Sequence, residues 1–294
     1  MAGGCRCGGH MSLTGIESVA SPVRVDAFGL TDRGRVRASN EDHFVIANVN
    51  KSVVIQATSV PPATISRRFG VANAHLFAVA DGVGGRSDGA LASERTVTGV
   101  LEYFGRAAEC FQALDASREH ELIERLEGTV RDVHRALLEE YGGERAQVPA
   151  TTLTMVLLVW PRAYLVHVGD SRAYVRRRGR LQGLTRDQTF GQYMVSVGAW
   201  TEEQAARPGP AATLSSAVGG SEMIPVVGLV DLEFGDSMVL CTDGLTKHVP
   251  DERIGEVLAM STDAREMSQL LVGEALGAGG TDNVTVVIVR TEEA

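Results

Sequence analysis

The chain has 294 residues, enough for one large domain or two small ones, and its 44% hydrophobic and 22% charged residues are typical of a soluble globular protein. A formal net charge of −9 argues against binding to nucleic acid or to an anionic membrane surface, both of which attract basic proteins. We expect a cytoplasmic protein, since no apolar run of membrane-spanning length and no secretory signal are visible and the four cysteines are too scattered for a disulfide framework.

The first half of the chain is predicted to contain three strands and two helices. Residues 1–22 are expected to form a disordered tail, because the glycine-rich start lacks hydrophobic periodicity, and the His10-Met11 junction resembles a cloning remnant before a native Met11. A single domain is expected over 23–294. Predicted strands begin near Val23 and cover 43–49 and 75–80; predicted helices cover 89–104 and 117–141; 50–74 is interpreted as a strand tip plus a long exposed loop.

The second half returns to strands after Pro149 and then alternates with helices. Strands are predicted over 151–160, 163–170, 171–179, 224–232, 237–241 and 283–290, and helices over 251–260 and 263–276. Short helices and a flap-like loop are expected over 185–212. Strands and helix pairs that are segregated along the chain favour an α+β fold over alternating βαβ units.

Acidic residues stand where the predicted strands begin or end. The apolar segments LFAVA, YLVHVG and MVLCT each run directly into an aspartate, and other acidic residues directly precede apolar segments. A single Asp-Gly is usually a turn, but several acidic strand ends in one chain predict a carboxylate cluster if those ends converge. No compensating lysine is expected nearby in sequence, so bound cations would neutralise the cluster. Its members are Glu41, Asp42, Asp81, Asp170, Asp243 and Asp282.

The ligand type selects the cation. Oxygen ligands suit Mg²⁺ or Mn²⁺, whereas zinc prefers imidazole and thiolate, and none of the seven histidines has metal-site spacing. Two such cations can hold a hydroxide and polarise a phosphoryl group for in-line attack. Arg37 could clamp phosphate oxygens or form a surface salt bridge, and both readings stay open. Gly82 would permit close backbone approach and leave its carbonyl free for a metal. His43 beside the cluster is kept as a candidate.

Seven short motifs follow one another along the chain, and in this order they resemble the metal-dependent protein phosphatases of the PPM type, also called protein phosphatase 2C, in their bacterial-like branch. Each motif alone is weak, whereas the ordered set, which spans roughly residues 24 to 290, is specific. The motifs are Arg37-x-x-Asn40-Glu41-Asp42; Asp81-Gly82-x-Gly84-Gly85 with Ala92-Ser93; Thr151-Thr152-Leu153; Val168-Gly169-Asp170-Ser171-Arg172; Leu184-Thr185-x-Asp187; Cys241-Thr242-Asp243-Gly244-Leu245; and Thr281-Asp282-Asn283-Val284-Thr285.

The resemblance implies a fold and an activity. The fold is a central β-sandwich of two antiparallel sheets flanked by pairs of helices, in α-β-β-α layers. The activity is that of a protein serine/threonine phosphatase in signal transduction, which hydrolyses phosphoserine and phosphothreonine by in-line attack of a metal-bridging hydroxide. The implied partners are phosphorylated proteins, together with a serine/threonine kinase and its targets.

The resemblance also assigns a binuclear metal centre. Asp81 would bridge two Mn²⁺ or Mg²⁺ ions, and Asp243 and Asp282 would complete the protein ligands of the first ion. Gly82 would supply a backbone carbonyl to the second ion.

The remaining acidic residues and one arginine take supporting roles in this resemblance. Glu41 and Asp42 would act largely through metal-bound waters, and Asp170 would join Asp243 at a third, weaker metal site. Arg37 would bind the substrate phosphate. The implied catalytic residues are Arg37, Asp42 and Asp81.

The sequence departs from the family pattern at several positions. Val83 stands where many eukaryotic members carry a histidine proposed as the general acid, so this role is not assigned and a metal-bound water is one alternative. Gln188 replaces a histidine that is common after the Leu-Thr-x-Asp motif, Ala150 a glycine that often precedes Thr-Thr, and Ser215-Ser216 a typical Thr-Arg pair. These positions lie outside the implied metal set, so they bear on flap packing and substrate choice more than on activity.

Two other function classes remain as alternatives to an active protein phosphatase. One is a pseudophosphatase that acts by binding, and the other is a two-metal hydrolase of nucleotides or small phosphate esters.

Overall fold

A computed structural model of the protein describes residues 23–49, 53–58, 74–83, 88–107, 119–142, 148–207, 209–261 and 263–294. The predicted tail at 1–22, most of the predicted loop at 50–74 and two glycines of the Asp81 motif, at 84 and 85, lie outside these residues. None of the described helices is long and apolar enough to cross a lipid bilayer.

The described residues contain twelve strands and seven α-helices. The strands are β1 (Val23–Asp32), β2 (Asp42–Val49), β3 (Val53–Thr58), β4 (Ala74–Val83), β5 (Ala150–Thr151), β6 (Leu153–Val159), β7 (Arg162–Val168), β8 (Arg172–Arg177), β9 (Arg180–Gly183), β10 (Val226–Asp231), β11 (Ser237–Cys241) and β12 (Val284–Glu293). The helices are α1 (Asp88–Ala107), α2 (Glu119–Tyr141), α3 (Phe190–Ser196), α4 (Glu202–Ala205), α5 (Asp243–Thr246), α6 (Asp251–Met260) and α7 (Ala264–Gly277), with a 3₁₀ turn at Pro210–Ala212.

The strands form two antiparallel sheets. One sheet has the order β1-β12-β11-β8-β9. The other has the order β10-β7-β6-β4-β2-β3, with β5 paired to the end of β4. This arrangement confirms the α+β class and the two antiparallel sheets.

Three buried clusters show that the layers stack as helix pair, sheet, sheet and helix pair. Between the sheets, Phe77 of β4 and Leu240 of β11 belong to one cluster. On the outer face of the larger sheet, Phe104 of α1 and Leu126 of α2 belong to a second. On the outer face of the smaller sheet, residues of α6 and α7 such as Leu271 belong to the third. The four-layer architecture is therefore as the sequence predicts.

Helix α2 shows why the hydrophobic period identified the helices correctly. Five of its apolar residues recur at intervals of three and four and are buried, which places them on one face of the helix. The opposite face carries ion pairs one turn apart, such as Glu121 with Arg125 and Glu127 with Arg131. The buried residues are Leu122, Leu126, Val130, Val133 and Leu137.

Strand boundaries differ from the prediction where pairing partners extend or divide a strand. Strand β4 continues past Ala80 to Val83, because its last two residues pair with β5. The predicted strand at 171–179 ends at Arg177, and a two-residue turn at Arg178 and Gly179, both with positive φ, leads into β9. The predicted strand tip after residue 50 is the six-residue strand β3, paired with β2.

The region predicted as short helices and a flap-like loop, 185–212, contains α3, α4 and the 3₁₀ turn. Thr189 caps α3 through a hydrogen bond from the Gln192 amide, and Thr201 with Gln204 forms a capping box on α4. Such caps stabilise helices that are too short to persist without them.

The inter-sheet core should determine the stability of the fold. We expect Leu240→Ala to lower the free energy of unfolding by about 2–5 kcal/mol, because this fully buried side chain lies between the two sheets and its loss leaves a cavity. Urea denaturation measures the change. The matched control is Leu229→Ala on β10, where the side chain is 47% exposed and we expect a change below about 0.5 kcal/mol. Equal changes in both variants would contradict this packing.

Candidate metal centre

The acidic residues of β2 and β4 are brought together by strand register. Asp42 is directly opposite Asp81 in the antiparallel pair of β2 and β4. Oδ2 of Asp42 accepts hydrogen bonds from the hydroxyls of Thr242 (2.8 Å) and Thr285 (2.7 Å), which belong to the other sheet and its loops. The predicted cluster therefore lies where the two sheets meet.

Asp243 and Asp282 join the cluster from the smaller sheet. Asp243 is the first residue of α5, the single turn that follows β11, and Asp282 lies in the turn before β12. Nζ of Lys247 lies 2.5 Å from Oδ2 of Asp243 and 2.7 Å from Oδ2 of Asp282. The expectation that no lysine compensates the cluster is therefore wrong: Lys247 is one helical turn after Asp243, at the i+4 spacing that brings side chains together.

Arg37 also pairs with Asp282. Its Nε lies 2.7 Å from Oδ1 and a terminal nitrogen lies 2.8 Å from Oδ2, a two-pronged contact between guanidinium and carboxylate. Hydrogen bonding to Asp282 raises the pKa of Arg37 further, so this residue is fully charged. Of the two readings of Arg37, the salt bridge is the one formed in this structure, and the guanidinium lies at the edge of the acidic cluster with half of its side-chain surface exposed.

Four carboxyl groups of the cluster, those of Asp42, Asp81, Asp170 and Asp243, have raised pKa values. Burial, followed by repulsion from Asp42 and Asp243, raises the pKa of Asp81 well above its ordinary value. Burial raises the pKa of Asp42 to about 7 against the hydrogen bonds from its two threonines, and burial with the charge of Asp243 raises that of Asp170 to about 8. Within the described ranges, neither Asp81 nor Asp170 has an ion pair with an arginine or a lysine.

The two carboxylates that contact Lys247 behave differently. Burial raises the pKa of Asp243, and the charge of Lys247 offsets part of this. Burial also acts to raise the pKa of Asp282, but hydrogen bonds from Lys247 and Arg37 outweigh it and the pKa is lowered. Positive charge is thus concentrated at Asp282, while Asp81 and Asp42 carry uncompensated repulsion.

Two oxygens of the cluster fit the chemistry of a hard cation or its waters. Oδ1 of Asp42 and Oδ1 of Asp243 are buried and accept no hydrogen bond from the described residues. A buried carboxylate oxygen without a partner is unfavourable, and divalent cations such as Mg²⁺ and Mn²⁺ take this kind of ligand. In the described ranges, no three acidic, histidine or cysteine side chains are placed so that they could hold a metal ion together. The chemistry of the donors fits such an ion, but Lys247 and Arg37 hold oxygens of Asp243 and Asp282 in this arrangement.

Close backbone approach explains two of the glycines in this region. A Cβ on Gly82 would lie 2.2 Å from the Gly89 carbonyl oxygen, and a Cβ on Gly244 would lie 1.8 Å from the Asn283 carbonyl oxygen. No side chain fits at either position. The close approach predicted at Gly82 is present, and it ties β4 to the first turn of α1.

A group of supporting residues, for which sequence reasoning assigned no role, fixes the loop that carries Glu41. The Asn283 side chain accepts from the Glu41 amide (2.9 Å) and donates to the carbonyls of Arg33 and Ser39 (2.8 Å each). The Ser93 hydroxyl of α1 donates to the Glu41 carbonyl. Asn283 and Ser93 each belong to one of the seven sequence motifs, and this membership is the sequence signal for their importance.

His43 lies beside the cluster but has a structural environment. Its Nδ1 is 2.9 Å from the Ser93 hydroxyl, and burial lowers its pKa to about 4, so the ring is neutral near pH 7. A neutral, buried imidazole that hydrogen-bonds Ser93 supports the Glu41 loop. His167 is likewise buried, with Nδ1 hydrogen-bonded to Thr154, as expected for a structural residue.

Gln188 explains how the turn before Asp170 is held although the family histidine is replaced. Gly169 adopts a φ of +105°, and its amide donates to the Gln188 side chain (2.8 Å) while its carbonyl accepts from the Gln188 amide (2.7 Å). The Gln188 side chain also donates to the Ile224 carbonyl. Next to this turn, Arg172 and Asp187 form a two-pronged ion pair with both contacts at 2.8 Å.

Comparisons with known proteins agree with this geometry. A family model described as protein phosphatase 2C matches residues 68–275. The serine/threonine protein phosphatase PstP of Mycobacterium tuberculosis is 32% identical over 259 residues, which cover 88% of this chain and 43% of PstP. This chain thus spans less than half the length of that relative.

Solved structures show the same fold over nearly the whole chain. A Streptococcus agalactiae serine/threonine phosphatase superposes with a TM-score of 0.75 at 28% identity, covering 91% of this chain and 99% of that one. The catalytic domain of PstP in complex with two manganese ions superposes with a TM-score of 0.68 at 30% identity, covering 92% and 99%.

The electrostatics of the cluster should produce a pH-dependent stability. Asp42 ionises near pH 3.8 in the unfolded chain and near pH 7 in the folded one. Between these values the folded state keeps a proton that the unfolded state releases, so stability is lost as the pH rises through this window. We expect Asp42→Asn to remove this pH-dependent loss of stability. At pH 8 in EDTA, its free energy of unfolding should exceed that of wild type by at least about 1 kcal/mol.

Urea denaturation at about pH 5 and pH 8 in EDTA tests this expectation. The matched control is Asp231→Asn, which makes the same chemical change at a side chain that is 68% exposed. The control should keep the pH slope of wild type. If Asp42→Asn also keeps that slope, the Asp42 carboxyl is not protonated in the folded protein at pH 5.

Proposed function

Because this chain belongs to the protein phosphatase 2C family, we propose that it is a metal-dependent phosphatase that removes phosphate from phosphoserine and phosphothreonine side chains of proteins. The observation that carries the proposal is the buried carboxylate cluster where the two sheets meet, in which two oxygens have no hydrogen-bond partner among the described residues. Bacterial relatives of the same fold are named serine/threonine phosphatases, which supports the same substrate class here.

We propose that this centre holds two Mn²⁺ or Mg²⁺ ions, as the two manganese ions in the PstP catalytic domain suggest. Asp81 would contact both ions, Asp243 and Asp282 the first and the Gly82 carbonyl the second, with a third, weaker site at Asp170 and Asp243. When bound, such ions lower the pKa of water and withdraw electron density from a phosphoryl oxygen. The raised pKa of Asp81 supports this role, because no arginine or lysine among the described residues forms an ion pair with that carboxyl group.

Asp42 and Glu41 would orient water at the centre. Two threonine hydroxyls fix one oxygen of Asp42, so the other oxygen, Oδ1, keeps a defined position as an acceptor. The Glu41 backbone is held at both its amide and its carbonyl, by Asn283 and Ser93. Rigid support of this kind is what residues that act through metal waters require.

Arg37 would bind the phosphate group of the substrate. Its guanidinium is held by Asp282 at the edge of the acidic cluster and is half exposed, so a substrate can reach it from solvent. A planar guanidinium can contact two phosphate oxygens at once, and this fixes the orientation of the phosphoryl group.

We also propose the finer features that accompany this activity. Residues 23–294 would form one phosphatase domain that acts on phosphorylated proteins in signal transduction, opposing a serine/threonine kinase. A cytoplasmic location is supported by the free thiol of Cys241, which is buried in the fold and suits a reducing compartment.

We expect Asp81→Asn to lower the Mn²⁺-dependent kcat/KM by at least about a hundredfold, because the amide removes the only charge proposed to contact both ions. Hydrolysis of p-nitrophenyl phosphate and of a phosphothreonine peptide measures this effect. Asp231→Asn is the matched control and should keep wild-type activity.

Two outcomes would contradict the proposed function. Folded wild-type protein that shows no hydrolysis and no Mn²⁺ binding by calorimetry would indicate a pseudophosphatase that acts by binding. Faster turnover of nucleotides than of phosphopeptides would instead indicate a small-molecule hydrolase.

A further inference from the structure

We propose that Lys247 is a built-in competitor of the metal ion. Its ammonium group occupies the Asp243–Asp282 pair in the metal-free protein and has to leave the pair when the first divalent ion binds. Lys247 thereby sets the concentration of metal at which the centre fills. The inference rests on the proposed function in one respect, because it requires that Asp243 and Asp282 are ligands of the metal centre.

Lys247 contacts one oxygen of each of the two aspartates that are proposed to hold the first ion. Its Nζ lies 2.5 Å from Oδ2 of Asp243 and 2.7 Å from Oδ2 of Asp282, at or below the short end of charge-assisted hydrogen bonds. An ammonium group and a divalent cation between the same two carboxylates would compete for these oxygens and repel each other strongly at such distances. Binding of the ion therefore requires that the lysine contacts open.

The local fold fixes the backbone of Lys247 and leaves its side chain room to move. The Lys247 amide donates to the Asp243 carbonyl (2.8 Å), and Gly244 packs its backbone against the Asn283 carbonyl. The turn α5 is thus fixed beside the loop that carries Asp282. The Lys247 side chain is 42% exposed, so it has an open route to solvent.

The choice of lysine at this position is itself informative. The chain contains 26 arginines and only two lysines, Lys51 and Lys247. An ammonium group is a compact charge with three rotatable donors and can lie between two carboxylates. A guanidinium pairs flat against one carboxylate, as Arg37 does with Asp282. A flexible lysine therefore suits a contact that forms without metal and opens with it.

Calorimetric titration of MnCl₂ into the metal-free full-length protein tests the inference. We expect Lys247→Gln to bind its tightest Mn²⁺ ion with a Kd at least about tenfold lower than wild type, since the competing charge is gone. The matched control is Arg24→Gln, which also removes one positive charge but from an exposed ion pair with Glu292 on β12. The control should change the Kd by less than about twofold, because surface charges are screened by salt.

Thermal unfolding supplies a second readout. Without metal, Lys247→Gln should melt below wild type, because Asp243 loses its counter-charge and Asp282 keeps only Arg37. With Mn²⁺, its melting temperature should rise by more than that of wild type. If Lys247→Gln does not fold, Lys247→Met keeps the aliphatic stem and takes its place.

Different results separate this inference from the proposed function. An equal or higher Kd in Lys247→Gln than in wild type would overturn the inference alone, because the lysine would then be preparing the site for the ion. Absence of Mn²⁺ binding in both wild type and Lys247→Gln would overturn the proposed metal centre together with the inference.

Discussion

Repulsion among carboxylates that the sandwich holds close together is the constraint on which the candidate site depends. Asp42 and Asp81 face each other across two neighbouring strands, so their separation is set by sheet register. Asp243 and Asp282 flank two neighbouring strands of the other sheet. The apolar residues packed between the sheets keep these strand ends together, so the carboxylates cannot relax apart.

The residues of the chain lower this repulsion in three ways. Lys247 and Arg37 place positive charge on Asp282. The hydroxyls of Thr242 and Thr285 stabilise the ionised form of Asp42 without fully offsetting its burial. Asp81 and Asp170 have no ion-pair partner among the described residues, so burial raises their pKa values and favours protonation. A fold that retains such unfavourable groups sacrifices stability at the place where function requires charge.

Local periodicity predicts most of the strands and helices, whereas their arrangement in four layers comes from the family resemblance. Helix α2 is identified from its buried leucines and valines, and the acidic strand ends identify the cluster. Features that depend on pairing partners far along the chain are not visible locally. The extension of β4 to Val83 needs β5, and the division of β8 from β9 needs the turn at Arg178 and Gly179.

The charge balance of the site also depends on contacts that a local sequence pattern does not reveal. The pattern places carboxylates at the strand ends, whereas Lys247 follows Asp243 by one helical turn and becomes its partner only once α5 forms. Arg37 was recognised, but its contact with Asp282 joins residues 245 positions apart. Supporting residues such as Asn283 lay within the motifs, yet their hydrogen bonds to the loops at Arg33 and Ser39 appear only in three dimensions.

Anomalous scattering from crystals grown with Mn²⁺ tests the central claim most directly, namely that divalent cations neutralise this carboxylate cluster. The account expects two manganese peaks, one of them in contact with Asp81, Asp243 and Asp282, with Nζ of Lys247 moved away from both of its aspartates. A map without manganese at Asp81, in which Lys247 still bridges Asp243 and Asp282, would contradict it.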